Sequence, residues 1–473
     1  MIPMTLAEVA GVTGGQVHPD PGAGEVLVDG PVVTDSREAG PGGLYVARVG
    51  EHADGHRFVG AAAQAGAVAA LTGRPVPDLP CVVVQDVQTA FGRVARAVLD
   101  RAPGVTVVAV TGSSGKTSTK DLLAQVLGRA AETIAPVNSL NGEIGVPLTV
   151  CRITPATRFL VAEMGSRGIG HLAYLTEIAP PRIAVVLNVG TAHVGQFGSR
   201  ETIALAKREL VEALPADGVA VLNADDPLVS QMAGHARGRV VLVGQAAEAQ
   251  VRAEEIRLDA NGRPRFRVRT PAGDAAVALA LHGRHHVGNA LAVVAVALEC
   301  GLPLDTVADS LAQATAVSRW RMEVTERPDG VTVVNDAYNA NPDSMAAALA
   351  ALAAMGHPEQ GPQRRTWAVL GEMLELGDEA VPAHRGVGRL ATTLGTDVVV
   401  AVGAGAAPVA DGATESRAAG LARPEVSHVA DADAAYDLLG EQLRPGDVVL
   451  FKSSRDAGLR WLAERVAAPE GAS

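Results

Sequence analysis

The run Val105-Thr-Val-Val-Ala-Val110 leads directly into Thr111-Gly-Ser-Ser-Gly-Lys-Thr117, and a helical pattern follows from Ser118 to Leu127. An unbroken apolar run of this kind marks a strand buried on both faces. Strand, glycine-bearing turn and helix in that order leave few arrangements open, and the chain repeats the alternation. FLVAE, IAVVLNVG and GVAVLNADD come next, each followed by a helical stretch. Beyond Ser318-Arg319-Trp320 the strands VTVVND, TWAVLGE, DVVVAVG and DVVLFKSS continue it. Strands alternating with helices predict parallel α/β sheets.

A chain of 473 residues holds roughly three domains of about 150 residues. The pattern divides it at residues 1–103, 104–316 and 317–473. The first section carries short β-rich runs (VLVDGPVVTDSR, GLYVARVG, PCVVVQD) and the Ala-rich helix VGAAAQAGA. The second is expected to hold a central P-loop-type, mostly parallel sheet. Its segment Arg252 to Leu281 turns to short alternating strands, an antiparallel extension. The third is expected to be a Rossmann-like α/β domain. Aromatic residues make up only 3% of the chain, so Ala, Val and Leu must fill the cores.

The net charge is −12. That excludes a broad nucleic-acid surface and an electrostatic membrane anchor, so an anionic substrate must be met by a few placed cations and backbone amides. Cys81, Cys151 and Cys300 are far apart and form no CxxC pair, which points to a reducing compartment without a zinc cluster or disulfide framework. The first residues, MIPMTLAEVAGVTGG, lack the basic and apolar regions of a signal peptide. The longest apolar runs, such as Leu291 to Leu298, fall short of the ~18 residues of a membrane span. The expectation is a soluble, cytoplasmic monomer.

In open parallel sheets ligands bind beyond the carboxyl ends of the strands. Here those ends are Thr111-Gly112, Glu163-Met164-Gly165, Asn188, Asn335-Asp336, Gly371-Glu372 and Lys452-Ser453. At the first of them, the backbone of Thr111, Gly112, Ser113, Ser114 and Gly115 would cradle phosphates at a helix N-terminus. Lys116 would add charge and Thr117 a hydroxyl for Mg²⁺. This is the shorter TGxxGKT form, since Val110 stands where the longer pattern has its first glycine; a plain glycine-rich turn is the alternative. In the helix Glu201 to Leu214, Lys207 falls on the stripe of Ile203, Ala206, Leu210 and Leu214. An ammonium there is disfavoured, and a neutral amine reacts with CO₂ to give a carbamate, an oxygen ligand for Mg²⁺. The alternative is a snorkelling lysine whose stem covers apolar surface. Glu163 and His193 are the other candidate metal ligands.

TGSSGKTSTK, NSLNGEIGVPLT, AEMG, NVGTAHVGQFGS, IALAKREL, LNADDP, GRHHVGNALA and SRWRMEV together resemble the Mur ligases, ATP-dependent amide ligases of peptidoglycan precursor synthesis. Within that family NDAYNANPDSM and LGEMLELGDE look most like the members that add D-alanyl-D-alanine. The N-terminal segment TDSREAGPGGLYVARVGEHADGHRF fits them too. The resemblance implies an acyl-phosphate route from ATP, UDP-N-acetylmuramoyl-tripeptide and D-alanyl-D-alanine. The first domain would bind the UDP-sugar through Asp35, Ser36 and Arg37, with Asn138 and Asn141 near the sugar-peptide. Thr117, Glu163, His193 and carbamylated Lys207 would bridge magnesium, and Asn289 would touch adenine. Arg319, Asp336 and Asn339 would close on the nucleotide, with Tyr338 beside them and Lys452 and Arg455 at the reacting carboxylate. A hinge is expected near Ala316 to Arg319.

The chain departs from the family pattern at Arg208 (usually Gly), His286 (usually Asn) and Ser453 (usually Gly). Read without the resemblance, Asp35-Ser36-Arg37 is an Asx turn with a surface ion pair. Likewise Asn335 to Pro342 is a turn before an Ala-rich helix capped by Asp343 or Ser344. The nearest alternative function is another carboxylate–amine ligase of this architecture, diamino-acid-adding or folylpolyglutamate-type.

Overall fold

The computed structural model describes all residues except 20–21, 51–52, 192–193, 360, 419–423 and 469–473. Three α/β lobes follow one another along the chain. The first holds a five-stranded sheet in the order Gln16–His18, Cys81–Val83, Ala67–Thr72, Gly43–Val46, Val32–Val33. All neighbours in it are parallel except the first pair. The Ala-rich helix expected over VGAAAQAGA stops short, at Gln64. Helix Val59–Gln64 ends and strand Ala67–Thr72 begins, because Gly66 takes φ +109° and a Cβ there would meet Pro41 N at 2.8 Å. A left-handed residue breaks the helix, and alanine content gives no warning of it.

The central sheet has nine strands, in the order Gly273–Ala278, Pro264–Thr270, Val251–Leu258, Arg239–Gly244, Val219–Asn223, Ile183–Val186, Thr106–Thr111, Phe159–Glu163, Thr133–Ile134. Its first three strands form antiparallel pairs and the rest run parallel. Alternate side chains of Thr106–Thr111 face opposite cores, as a strand covered on both sides requires. Val107 and Ala109 join Phe91, Val94 and Val98 of the preceding helix. Val108 and Val110 join Leu123, Leu127 and the helix His286–Glu299.

The third lobe has six strands, ordered Glu323–Glu326, Thr332–Asn335, Val448–Lys452, Thr366–Leu370, Val398–Val402, Glu425–Val429, parallel but for the first pair. The helix Pro342–Gly356 is capped by Asn341, which forms a reciprocal pair with Ser344. The cap is thus neither Asp343 nor Ser344, because Pro342 already occupies the first helical position.

The segment between these last two lobes is pinned to the phosphate-loop helix Lys116–Gly128. The Gln125 amide clasps Thr315 through both its N–H and its C=O, each at 3.0 Å. Asp121 accepts from Ser318 N at 3.1 Å, and Lys120, buried beside Asp121, reaches Pro136 O at 3.0 Å. Only beyond Ser318 does the chain turn sharply, with Trp320 at φ +60° and Met322 at φ +51°.

Candidate functional site

The central sheet order decides which strand ends meet. Strand Thr106–Thr111 lies between Ile183–Val186 and Phe159–Glu163, with Glu163 level with Val110 and Val186 level with Thr111. Segments far apart in sequence therefore flank the loop Thr111 to Thr117. Gly115 takes φ +81°, and a Cβ on it would lie 2.6 Å from Asn289 Oδ1. This is a position where only glycine serves. Asn289 is buried against the loop, with its Nδ2 3.4 Å from His286 Nδ1. Ser114 N donates to Asn188 Oδ1 at 2.9 Å, and Ser113 N to Asn188 O at 3.1 Å.

Lys116 Nζ donates to Gly112 O at 2.6 Å. Burial pushes its pKa down, Glu163 opposes that, and Arg321 adds to it. The Thr117 hydroxyl lies 2.7 Å from Ser139 Oγ. Glu163 is buried; Asn141 Nδ2 donates to its Oε1 at 2.7 Å. Its Oε2 is buried with no partner among the described residues, and a carboxylate oxygen so placed fits a cation.

Lys207 lies on the buried face of helix Arg200–Glu212 with Ile203, Ala206, Leu210 and Val211. Its neighbours turn away: Arg208 pairs with Glu212 at 2.7 Å, and Glu209 accepts from Ala173 N at 3.0 Å. Burial, with the positive charge of Lys116 as a smaller cause, brings Lys207 down to about 7. His193 lies outside the described residues. Among the described residues no three His, Cys, Asp or Glu side chains converge as a metal cluster.

Across the cleft, Lys452 Nζ donates to Asp336 Oδ2 at 2.6 Å and to Asn339 O at 3.0 Å. Burial pushes Lys452 down, and Asp336 holds it up. His285, half-buried near this pair, is pushed down to about 4 by desolvation of its ring. Arg321 spans the two lobes: it donates to Ser139 Oγ at 3.2 Å and stacks 4.3 Å from the Tyr338 ring centre. The Arg455 guanidinium is 5.8 Å from the same ring. Arg319 turns away to pair with Glu464, and its guanidinium lies 5.3 Å from the Trp320 ring. The structure thus brings Arg321, rather than Arg319, to the phosphate-loop side. No spacing rule could choose between them, because left-handed Trp320 reverses which side chain faces the cleft.

In the first lobe Asp35 forms the Asx turn, accepting from Arg37 N at 3.0 Å and from its guanidinium, which holds the carboxyl down at about 2. Arg37 is exposed, and Ser36 opens a short 3₁₀ turn. Asn138 is exposed at φ +53°. A chain of contacts joins this lobe to the same loop: Arg48 Nε donates to Gln88 Oε1 at 2.7 Å, and Gln88 Nε2 to Glu143 O at 2.6 Å. The sequence-based expectations give no role to Arg48, Gln88, Ser139 or Arg321, although Ser139 and Arg321 lie within NSLNGEIGVPLT and SRWRMEV, and they name Asn188 only as a polar strand end.

Two family profiles match the chain, "Mur ligase middle domain" at residues 110–297 and "Mur ligase, glutamate ligase domain" at residues 320–455. The chain is 46% identical to the UDP-N-acetylmuramoyl-tripeptide–D-alanyl-D-alanine ligase of Mycobacterium tuberculosis (strain ATCC 25618 / H37Rv), with 99% of each chain covered. To the ligase of that name from Escherichia coli (strain K12) it is 35% identical, with 97% of each covered. A crystal structure of MurF from Acinetobacter baumannii superposes with a TM-score of 0.86 at 30% identity, over 98% of this chain and 99% of that one. The MurF ligase of Thermotoga maritima in complex with ADP gives 0.79 at 27% identity, over 92% and 97%. With near-complete coverage at these identities, the chain belongs to the Mur ligase family.

Proposed function

We propose that this chain joins D-alanyl-D-alanine to UDP-N-acetylmuramoyl-tripeptide at the expense of ATP, in peptidoglycan precursor synthesis. One observation carries the reading at the site. Arg321 stands close enough to act on both Lys116 of the phosphate loop and Lys452, a buried lysine at a strand end of the neighbouring lobe. Such a cleft can bring two anions together, which phosphorylation of a carboxylate by ATP requires. The near-full-length likeness to ligases of that name selects the acceptor and the amine. No helix of the described residues is long and apolar enough to cross a membrane. A cytoplasmic enzyme, where ATP and nucleotide-linked precursors are found, is part of the same proposal.

In this reading residues 1–103 hold the UDP-sugar through Asp35, Ser36 and Arg37, with Asn138 and Asn141 toward the sugar-peptide. Residues 104–316 hold ATP: the loop Gly112 to Thr117 wraps its phosphates and Lys116 neutralises them, with Asn289 toward the base. Residues 317–473 close over the nucleotide with Asp336, Asn339 and Arg321. Lys452 and Arg455 meet the reacting carboxylate. Arg319 enters only through Trp320 and Glu464.

A carboxylate oxygen of the peptide attacks the γ-phosphorus and ADP departs. The dipeptide amine then attacks the acyl carbon of the mixed anhydride. The tetrahedral adduct expels phosphate, which carries away one oxygen of the original acid, and the amine loses a proton. Closure of the third lobe excludes water that would hydrolyse the acyl phosphate.

Magnesium fits the donor set, since Glu163 Oε2 is buried without a partner among the described residues. Thr117, Glu163, His193 and carbamylated Lys207 would hold it, and the ion would neutralise charge on the phosphate oxygens. Lys207 at about 7 has a substantial share of neutral amine near neutral pH, the form that captures CO₂.

The test is phosphate release with the tripeptide nucleotide and D-alanyl-D-alanine, using acceptor whose acid oxygens are ¹⁸O. One label must appear in the phosphate. If none does during turnover, the acyl-phosphate route is excluded. A free diamino acid or glutamate used in place of the dipeptide would support the alternative ligase.

A further inference from the structure

We propose that Asp343 is a positioning residue for the reaction: its carboxylate latches the third lobe onto the loop Asn188 to Thr191 and, through that loop, sets the phosphate loop. This rests on the placement of ATP proposed above. Both donors of Thr191 converge on one oxygen, with the backbone N–H 2.8 Å and the hydroxyl 3.1 Å from Asp343 Oδ2.

The rest of the loop is gripped from the central lobe. Val189 N donates to Asp226 Oδ2 at 2.7 Å, and Arg200 donates to Val189 O at 2.7 Å. Gly190 N donates to Ser113 Oγ at 2.9 Å. Two adjacent amides thus point to different lobes, Gly190 to the phosphate loop and Thr191 to Asp343. The fit leaves no slack at the join. A Cβ on Gly190 would collide with the Asp343 carboxylate and lie 3.4 Å from Ser113 Cβ. On the far side of residues 192–193 the third lobe presses again, where a Cβ on Gly195 would meet Glu375 O and Gly377 N, each at 2.9 Å.

A carboxylate in the first turn of a helix has an ordinary role, favouring the positive end of the helix dipole. Here the amide of Ser344 is already served by Asn341, and Asp343 faces outward to another lobe. The two roles separate by chemistry. A latch needs an acceptor oxygen, which asparagine retains. A dipole partner needs the charge, which asparagine lacks.

Asp343→Ala, Asp343→Asn and Thr191→Val are assayed in the full-length enzyme for kcat and KM, and for radius of gyration by X-ray scattering with ADP and the tripeptide nucleotide. Misplacement of a group behind the site costs from about tenfold to 10²-fold. We expect Asp343→Ala to lose about tenfold or more in kcat, with KM for ATP changed far less, and to be more extended than wild type. Asp343→Asn recovers most of the rate and the wild-type dimensions, and Thr191→Val falls between. Wild-type kcat and dimensions in Asp343→Ala overturn the latch. So does Asp343→Asn behaving like Asp343→Ala. Lys116→Ala runs in parallel: if it keeps full turnover, the ATP placement itself is wrong. If it is inactive while Asp343→Ala is normal, the latch alone is rejected.

Discussion

Lys452 and Asp336 form a buried ion pair at the ends of two adjacent parallel strands, 2.6 Å apart, and the second Asp336 oxygen accepts from Met322 N at 3.1 Å. One carboxylate thereby holds both a catalytic candidate and the left-handed turn through which the chain enters the third lobe. Removing one member of such a pair leaves the other charge buried and alone, which costs about 3–5 kcal/mol, whereas replacing both is far milder. Asp336→Asn should therefore destabilise the third lobe by about 3 kcal/mol, and Asp336→Asn with Lys452→Met should recover part of it. All three tryptophans, Trp320, Trp367 and Trp461, lie in this lobe, so their fluorescence during urea unfolding reads it selectively. Equal stability of the single variant and wild type would contradict the pair's role.

Gly115→Ala meets two obstacles at once, a φ of +81° and Asn289 Oδ1 at 2.6 Å from the new Cβ. Backbone strain of this kind costs about 1–3 kcal/mol. It falls on the loop proposed to orient the phosphates, so phosphate release should fall by about 10²-fold or more. Asn289→Ala added to it relieves the collision but not the strain, and should restore only a part. Full activity of Gly115→Ala would mean that the loop does not hold the nucleotide.

Lys207 gives a pH signature. Its folded pKa, about 7, is depressed from the ordinary 10.5. Between those values the unfolded chain binds a proton that the folded chain does not, so the Lys207 contribution to stability rises with pH across that window and is lost as pH falls through about 7. Lys207→Met removes this slope, which thermal melts from pH 6.5 to 10 would measure as the difference between the two proteins. A wild-type slope in Lys207→Met assigns it elsewhere.

The proposed carbamate makes a separate demand. In bicarbonate-free buffer, activity should drop by about tenfold or more and return on adding bicarbonate. ¹³C-bicarbonate should give a carbamate resonance that Lys207→Ala lacks. A bicarbonate-independent wild type without that resonance would leave Lys207 as an amine.

What could be read from the sequence was local. Val105 to Thr117 is strand, turn and helix within one continuous stretch, and its apolar run and glycines announce each part. The burial of Lys207 follows from the 3.6-residue spacing of Ile203, Ala206 and Leu210 around it. Legibility ended where a feature depended on strand order or on a single backbone reversal. Glu163 and Asn188 flank one loop because of the sheet order. Arg321, rather than Arg319, reaches Ser139 because Trp320 is left-handed. Helix Val59–Gln64 ends short of the expected Ala67 because one glycine, Gly66, is left-handed. Asp343 looked like a helix cap because the neighbouring lobe that it touches lies 152 residues away in sequence.

The helix Lys116–Gly128 begins at the loop and carries, about one and a half and two and a half turns along it, the Asp121 and Gln125 side chains that fasten the inter-lobe segment. The proposed phosphate grip and the inter-lobe fastening thus share one helix. A single-residue deletion between Lys116 and Asp121 would rotate both fittings by about 100° relative to the loop, so length variation should be excluded from this stretch while the surface turns around it drift freely. Anyone grafting a foreign third lobe onto this chain must bring partners for positions 121 and 125 along with it.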